Sequence, residues 1–555
     1  MSRYAAGIGG TGARCLEALT YACAAGLFGK SPLLDDDGRP VIREKKHVTS
    51  PEIPKIIMTL IDQNVSCGNI ERTLNLISLY RSSRDIIDPT VDSDFFSAEV
   101  ELYKDFNEDE VWKPVAKGIR FREYIGYDDA KNQLSSLIGK PGAKDEINEI
   151  SKIIDLIELF YSEEELNINL EEGFVGKAKV GSTVMALQCE KAFDKEGFFA
   201  KMVDEIEGQL SSGQVRMFIF ASIFGGMGAS GFPTFGSAIR KKYTDKEKKK
   251  DRDFSMGGAL LLPYFWFDTV MGGKGEVDLK STNFTSKAKE ALKYYYELFP
   301  ITKDKWEGYY NSLYFIGDDK PRKVKQTVKA GAEQRNPSHY CEFLSSLAAI
   351  HFLKDEEAHN KTYFSTRDDD VKAYFGDLPA NKFLKMQERL LHFTTFAKAF
   401  KFYYDVFQDS RFETYRKNFK WFHQKYKDLN KEKLKPLKEF VDSYLAWLED
   451  VNTSDDKVQR EYRMFSNSTF QEEGGNISKI LFPRFVEGVI DEHKFANPQS
   501  SIHIGKGHIN LLELMNNMPG TREDDAKSAE SRFIKMLFKA CKHLCKLNYK
   551  ELYQE

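Results

Sequence analysis

The chain has 555 residues, which is too long for one ordinary domain and predicts two or three. Its 81 lysines and arginines nearly balance its 84 aspartates and glutamates, so a net charge of -3 gives no bulk attraction to nucleic acid or to an anionic membrane. The sequence contains no apolar run of the roughly 18 residues that a membrane-spanning helix needs.

The seven cysteines are scattered among apolar residues, without a paired Cys-x-x-Cys motif. This pattern predicts small buried hydrophobic residues in a reducing compartment, rather than disulfides or a zinc site. A glycine motif begins a few residues from the N-terminus, which leaves no room for a signal peptide. We therefore expect a cytoplasmic protein with no membrane span and no metal site of its own.

The first predicted element is a short strand from Arg3 that runs into Gly7-x-Gly9-x-x-Gly12 and then into an alanine-rich helix. Glycines at this spacing let the backbone approach a phosphate and let the helix pack closely on the strand. The spacing fits both the dinucleotide fingerprint and the first loop of any nucleotide-binding α/β domain. The residues predicted to bind nucleotide here are Gly7, Gly9, Gly10, Thr11, Gly12 and Arg14.

A second buried strand, residues 55–62, ends in the carboxylate of Asp62. Ligands bind at the carboxyl ends of strands in such folds, so Asp62 could accept a hydrogen bond from a ribose hydroxyl or hold a Mg²⁺-bound water. An N-cap for the following helix is an equally good interpretation. The polar residues that follow, Asn64 and Asn69, are also predicted nucleotide contacts.

Residues 84–170 are rich in Asp, Glu and Lys and include a helical stretch at 145–161, so we predict a mostly helical insertion. The next segment, Gly173–Thr183, has loop-forming glycines with Lys177 and Lys179 between them. These lysines could face a phosphate or simply be solvated. The predicted nucleotide contacts of this segment are Gly181 and Ser182.

A third buried strand begins at Val215 and leads into a dense glycine cluster, followed by a helix-like segment. A glycine loop before a helix N-terminus presents N–H groups and a positive dipole end, which together bind phosphate. Ser230 and Thr234 would add hydroxyl donors. The alternative is a tight strand-to-helix turn without a ligand. The predicted contacts are Gly225, Gly226, Met227, Gly228, Ala229, Ser230 and Gly231.

Further strands are predicted from Phe254 and from Ser312, with a helix near residues 283–298 between them. The repeated order of strand, loop and helix predicts an α/β fold with a doubly wound, mostly parallel sheet. A helix beginning at Asn336 as its cap, with Pro337 in its first turn, is apolar around most of its circumference and should be buried.

The remaining sequence is predicted to be mostly helical. In residues 412–429 the aromatic residues recur at heptad-like spacing, which favours a helix with one packed face over stacking on single-stranded nucleic acid. An apolar stripe at 533–544 predicts a docked helix, with a partner-binding helix as the alternative. We divide the chain into a nucleotide-binding domain (1–335), a central helix and connection (336–379) and a mostly helical C-terminal domain (380–555).

The motif Gly7-Ile-Gly-Gly-Thr-Gly12 together with Gly225-Gly-Met-Gly-Ala-Ser-Gly231 resembles the tubulin/FtsZ superfamily, in particular its divergent prokaryotic tubulin-like branch. In that family the first loop holds the α- and β-phosphates, and a later loop close to Gly-Gly-Thr-Gly-Ser-Gly wraps the phosphates. Here Met227 replaces the usual threonine and Ala229 is an extra residue. The resemblance covers residues 1–353.

The resemblance implies a protein that binds GTP/GDP with Mg²⁺, assembles head to tail into filaments and hydrolyses GTP only when assembled. A carboxylate at the far end of one subunit would orient water at the nucleotide of the next. The family's Asn-x-Asp-x-x-Asp motif is absent, and Glu342 is the proposed catalytic acid, with Asp318, Asp319 and the aspartates at 368–370 as rivals. The residues that would contact the base are Asn283 and Asn336.

Two other functions fit parts of the sequence. The motif Gly7-x-Gly9-x-x-Gly12, with Asp62 and then Asn69-Ile-Glu-Arg72, is faintly similar to the ATP-dependent adenylating domain of ubiquitin-activating-type enzymes. The imperfect catalytic motif also fits a nucleotide-bound scaffold that does not hydrolyse its ligand. Such a scaffold would bind a protein partner through its helical C-terminal region.

Overall fold

The structure is a computed structural model. It describes residues 2–29, 42–43, 46–47, 53–64, 66–89, 93–116, 118–174, 176–211, 213–245, 250–251, 254–266, 284–298, 309–318, 322–323, 335–354, 362–364, 386–406, 428–451, 454–455, 460–461, 502–504, 507–509, 515 and 526–548. Several residues predicted from the sequence lie outside these ranges: Asn283, Asp319, the aspartates at 368–370 and most of 412–429.

A parallel sheet forms the centre of the molecule. Its strands are β1 (Ser2–Ile8), β2 (Lys55–Ile61), β3 (Glu99–Leu102), β4 (Val111–Trp112), β5 (Val215–Ser222), β6 (Phe254–Leu261), β7 (Ser312–Ile316) and β8 (Thr362–Phe364). The order across the sheet is β8-β7-β6-β5-β1-β2-β3. The short strand β4 also pairs with β2, at Leu60 and Ile61. Every pair is parallel. The predicted α/β class with a mostly parallel sheet is confirmed.

Helices cover both faces of the sheet and extend beyond it. They are α1 (Gly9–Ala24), α2 (Gly68–Ile87), α3 (Phe121–Tyr124), α4 (Tyr127–Leu137), α5 (Lys144–Phe160), α6 (Glu163–Leu166), α7 (Ala178–Ala192), α8 (Ala200–Leu210), α9 (Gly226–Tyr243), α10 (Phe284–Leu298), α11 (Tyr340–Lys354), α12 (Met386–Val406), α13 (Lys435–Val451) and α14 (Ala529–Asn548). In the described part of the chain, no helix is both long and apolar enough to cross a membrane.

The central strands follow from their side chains. All eight residues of β5 are buried, because the apolar run is covered on both faces, as parallel strands usually are. In the sheet register Gly7 lies beside Leu60 of β2 and Phe220 of β5, so β1 is the middle strand of the three. The strands predicted from Arg3, Val215, Phe254 and Ser312 are therefore confirmed.

The predicted helical insertion at residues 84–170 is only partly correct. The helix α2 continues to Ile87, and the next two elements, β3 and β4, belong to the central sheet. The helices that follow these strands in the described part of 84–170 are α3 to α6, and α5 closely matches the helical stretch predicted at 145–161. Strands of two and four residues are too short to show a periodic pattern, which explains why the sequence did not predict them.

The described C-terminal helices share one core with the elements around the central sheet, although the sequence predicted a separate domain at 380–555. The ring of Tyr21 on α1 lies 5.6 Å from Phe440, 5.5 Å from Tyr444 and 4.9 Å from Trp447, all on α13. Phe95 stacks on Phe538 of α14 with 3.9 Å between the ring centroids. The predicted docked helix at 533–544 is confirmed, because Phe533, Leu537 and Cys541 are buried.

The buried central helix starts later than predicted. It begins at Tyr340, and every residue from there to Leu353 is buried, as its composition indicated. His339, rather than Asn336, caps it: the Cys341 N–H donates to His339 Nδ1 at 3.2 Å, and the His339 N–H donates to Glu342 Oε2 at 3.0 Å. This reciprocal pair satisfies the first N–H groups of the helix in the manner of a capping box.

Candidate functional site

The strand order reverses between β1 and β5, and both strands end in a glycine-rich helix start. Strands β2 and β3 follow outward on one side of β1, whereas β5 to β8 follow on the other. In open parallel sheets the crevice at such a reversal is the usual ligand site. A Cβ atom at Gly9 would lie 3.3 Å from the Cβ of Met227 and 3.6 Å from the Gly228 nitrogen, so α1 and α9 begin side by side.

The N–H groups at the two helix starts are available to an anion. The residue before α1 is Ile8, whose apolar side chain cannot cap the helix, and Gly9 adopts a φ of +75°. The first hydrogen bond of α9 runs from the Ala229 N–H to the Gly225 carbonyl at 3.1 Å. The N–H groups that precede it therefore have no carbonyl partner within the helix, and the positive ends of both helix dipoles meet here.

A third helix start, that of α2, completes the cradle. A Cβ atom at Gly10 would lie 3.4 Å from Asn69 Nδ2 and 3.8 Å from Cys67 Sγ. Asn69 is 2% exposed, and its Oδ1 accepts a hydrogen bond from the Asn336 N–H at 3.2 Å. The Asn69 amide donor therefore faces Gly10. Three helix N-termini and one oriented amide donor thus surround the same space.

Asp62 lies at the end of β2, as predicted, but it does not cap α2. The N-cap position of that helix is Cys67, and Asp62 Oδ1 instead accepts from the Asn64 N–H at 3.0 Å. Burial raises the pKa of Asp62 to about 7, and hydrogen bonds from the Asn64 and Gln63 backbones only partly oppose that rise. The carboxyl group is therefore partly protonated near neutral pH.

The predicted loop at Gly173–Thr183 is shorter than expected. The helix α7 begins at Ala178, so Gly181 and Ser182 are helical. A Cβ atom at Gly181 would lie 2.4 Å from Ser230 Oγ, which makes this glycine a close-packing position between α7 and α9 rather than a nucleotide contact. The remaining loop does border the site, because a Cβ atom at Gly226 would lie 3.0 Å from the Gly176 nitrogen.

The second glycine cluster divides into packing residues and site residues. Ser230 is fully buried and its hydroxyl donates to the Gly226 carbonyl at 2.7 Å, so it does not offer the predicted hydroxyl to a phosphate. The hydroxyl of Thr234 donates to the Ser230 carbonyl in the same way. Gly231 packs against Ile8, where a Cβ atom would lie 2.8 Å from Cγ2. The N–H groups at the start of α9 remain available.

Arg14, a predicted nucleotide contact, is instead half of a buried ion pair. Its Nε lies 2.9 Å from Glu342 Oε1, and its Nη2 donates to the Tyr264 hydroxyl at 2.6 Å. Burial alone would lower the pKa of Arg14, but Glu342 and Tyr264 raise it above its usual value. The guanidinium therefore points into the core and not into the cradle.

Glu342 does not suit the predicted role of catalytic acid. It is fully buried, pairs with Arg14 and accepts a hydrogen bond from the Tyr264 hydroxyl at 2.7 Å. It also lies beside α1 at the same end of the sheet as the glycine clusters, whereas the resemblance requires an acid at the opposite end of the subunit. Tyr264 and His339, which hold Glu342 in place, carried no signal in the sequence.

A second ion pair joins α1 to α2. Arg72 contacts Glu17 Oε2 from Nε at 2.9 Å, and it donates to the Asn336 carbonyl at 3.2 Å. Burial raises the pKa of Glu17, and Arg72 partly offsets that rise. Arg72, which the sequence offered as evidence for an adenylating enzyme, therefore stabilises the packing of α1 against α2. Asn336, the predicted base contact, lies against Asn69 at the rim of the cradle.

Comparison with known proteins adds no relative: no family model, no curated protein and no solved structure matches the chain. Among the residues that the structure describes, there is no group of three or more His, Cys, Asp or Glu side chains that could hold a metal ion. All seven cysteines are buried free thiols, in agreement with the interpretation of the sequence.

Proposed function

We propose that this protein binds a nucleoside polyphosphate, GTP or GDP with Mg²⁺, at the crevice between β1, β2 and β5. The observation that carries the proposal is the contact between the start of α1 at Gly9 and the start of α9 at Met227. Two helix N-termini at a reversal of strand order offer backbone donors and positive dipole ends to adjacent phosphates. Asn69, at the start of α2, supplies a side-chain donor at the same point.

The proposal includes head-to-tail assembly into filaments with GTP hydrolysis that depends on assembly. Its support is the resemblance of Gly7–Gly12 and Gly225–Gly231 to the tubulin/FtsZ superfamily, an argument by analogy of motif and strand order. Both motifs lie at one end of the sheet, so a neighbour stacked on that end would cover the nucleotide. This arrangement suits a ligand that is retained between subunits.

A non-hydrolysing, nucleotide-bound scaffold is the second candidate. The buried position of Glu342 favours it, because this acid is held by Arg14 and Tyr264 rather than exposed to a neighbouring subunit. The two candidates share the nucleotide site and differ in turnover.

The first experiment identifies the nucleotide released when the purified protein is denatured. Recovery of GDP or GTP in a ratio near one per chain supports the proposal. Absence of released nucleotide, together with the lack of measurable GTP binding by calorimetry, would refute it.

In the second experiment, the protein is sedimented by ultracentrifugation with GTP, with GDP and without nucleotide. Each sample is also imaged by electron microscopy. Filaments with GTP and release of phosphate above the critical concentration support assembly-dependent hydrolysis. Retained nucleotide without polymer or phosphate release supports the scaffold.

A further inference from the structure

The helix α10 contributes a lysine at the rim of the candidate site that the sequence did not single out. Phe284, at the start of α10, packs on Phe224 with 4.7 Å between ring centroids, which holds the helix beside the end of β5. One turn later, Lys287 Nζ donates to the Gly176 carbonyl at 2.9 Å. Gly176 in turn lies against Gly226, the first residue of α9.

The charged groups nearest Lys287 are Lys177 and Glu164. Burial lowers the pKa of Lys287 most, Lys177 lowers it further, and Glu164 raises it by less than Lys177 lowers it. Glu164 is already paired with Lys177, with 3.4 Å between Oε1 and Nζ. The second lysine predicted from the loop, Lys179, points elsewhere and donates to the Phe160 carbonyl.

Lys287 also retains hydrogen-bonding capacity. An ammonium group has three donors, and the bond to Gly176 uses one of them. A half-buried lysine next to a second lysine and a helix N-terminus is an electrostatic arrangement that an anion would stabilise. Gly9 and Met227 are buried, whereas Gly176, Lys177 and Lys287 are partly exposed, so these last three residues border the outer side of the crevice.

We propose that Lys287, supported by Lys177, binds the terminal phosphate of the nucleotide and makes the site select triphosphates over monophosphates. This inference rests on the proposed nucleotide-binding function and assigns one part of it. The backbone donors of α1 and α9 hold the inner phosphates by dipole and hydrogen bonding. Lys287 supplies a positive charge to the terminal phosphate, which carries the most negative charge, and Lys177, although paired with Glu164, adds a second cationic group beside it.

The test compares Lys287→Met with Lys289→Met, a substitution of an exposed lysine on the same helix. Affinities for GTP, GDP and GMP are measured by calorimetry with Mg²⁺ at fixed ionic strength. Loss of one charge-assisted hydrogen bond predicts roughly 10- to 100-fold weaker GTP binding for Lys287→Met. We expect the GMP affinity of this variant to change by less than about threefold, and Lys289→Met to bind all three nucleotides like wild type.

Lys287→Arg provides the second variant, because it keeps the charge and should recover most of the preference for GTP. The midpoint of thermal unfolding is compared for all variants. Equal losses for GTP and GMP in Lys287→Met, or unchanged GTP affinity, would overturn this inference and leave the proposed function intact. A wild-type protein that binds none of the three nucleotides would overturn the proposed function itself, and this inference with it.

Discussion

Arg14 and Glu342 form an ion pair closed to solvent, with 2.9 Å between Nε and Oε1 and side chains that are 1% and 0% exposed. The pair joins the second turn of α1 to the first turn of α11. Glu342 additionally accepts from the Tyr264 hydroxyl and from the His339 N–H. A carboxylate with this many partners stabilises the fold and has little freedom to activate water.

We therefore expect Glu342→Ala to destabilise the protein rather than to abolish turnover selectively. Removing one partner leaves Arg14 charged and buried, which costs roughly 3–5 kcal/mol of unfolding free energy. Urea denaturation followed by circular dichroism measures the change. The double variant Arg14→Met/Glu342→Leu should recover much of the loss, because an apolar pair of similar volume carries no desolvation penalty.

An exposed ion pair serves as the control for this experiment. Glu190 lies 2.9 Å from Lys241, and both side chains are more than half exposed, at 68% and 62%. Glu190→Ala should cost less than about 1 kcal/mol. If Glu342→Ala unfolds at the same urea concentration as wild type but no longer releases phosphate, the structural role assigned to Glu342 is wrong.

Gly12 lies where a methyl group would clash with neighbouring backbone atoms. A Cβ atom there would lie 2.7 Å from the Gly7 carbonyl carbon and 2.8 Å from the Phe220 oxygen, both backbone atoms that cannot turn aside. We expect Gly12→Ala to lower the free energy of unfolding by roughly 1–3 kcal/mol. Gly208, in α8, has nothing within 4 Å of the same position, so Gly208→Ala should stabilise the protein by roughly 0.5–1 kcal/mol. Chemical denaturation of the two variants side by side tests whether their changes in unfolding free energy have opposite signs.

The sequence predicted the central part of the sheet and the meeting of its two glycine clusters. Long apolar runs such as Val215–Ser222 are strong signals, and glycines directly after them mark sharp strand-to-helix junctions. Parallel strands put those junctions at one edge of the sheet, which is why Gly9 and Met227 could be expected to meet. The short strands β3 and β4 offered no such pattern.

Side-chain direction was the part that the sequence could not predict. Ser230 follows the start of a helix closely enough to bond the carbonyl four residues earlier, and that local bond competes with any ligand. Arg14 and Glu342 are far apart in the chain, so only the packing of α1 on α11 brings them together. The start of α11 was misplaced for the same reason, because His339 and Glu342 cap the helix where Asn336 and Pro337 suggested an earlier start.

Gly10 separates ligand binding from folding more cleanly than its neighbours. A Cβ atom there would meet Asn69 Nδ2 at 3.4 Å, an ordinary contact distance. Gly10→Ala should therefore fold like wild type while its methyl group fills the space between α1 and the Asn69 amide. We expect GTP affinity to fall at least roughly tenfold through loss of a phosphate hydrogen bond. Calorimetric titration measures it, with Gly208→Ala as the control. A Gly10→Ala protein with wild-type affinity would place the phosphates away from Asn69.

The raised pKa of Asp62 should make the stability of the nucleotide-free protein depend on pH. Burial raises its pKa from 3.8 to about 7, so the folded state holds a proton that the unfolded state releases. This contribution to stability is fully present below the unfolded pKa, near pH 4, and is lost as pH rises through about 7. Asp62→Asn cannot ionise, and its side-chain oxygen can still accept from the Asn64 N–H. The variant should match wild type near pH 4 and exceed its unfolding free energy at pH 8, by at most about 4 kcal/mol. Unfolding in urea across pH 4–8 measures the difference, with Asn64→Asp as a comparison that adds a carboxyl group nearby. If the wild-type and Asp62→Asn curves stay parallel across that range, Asp62 does not carry the raised pKa.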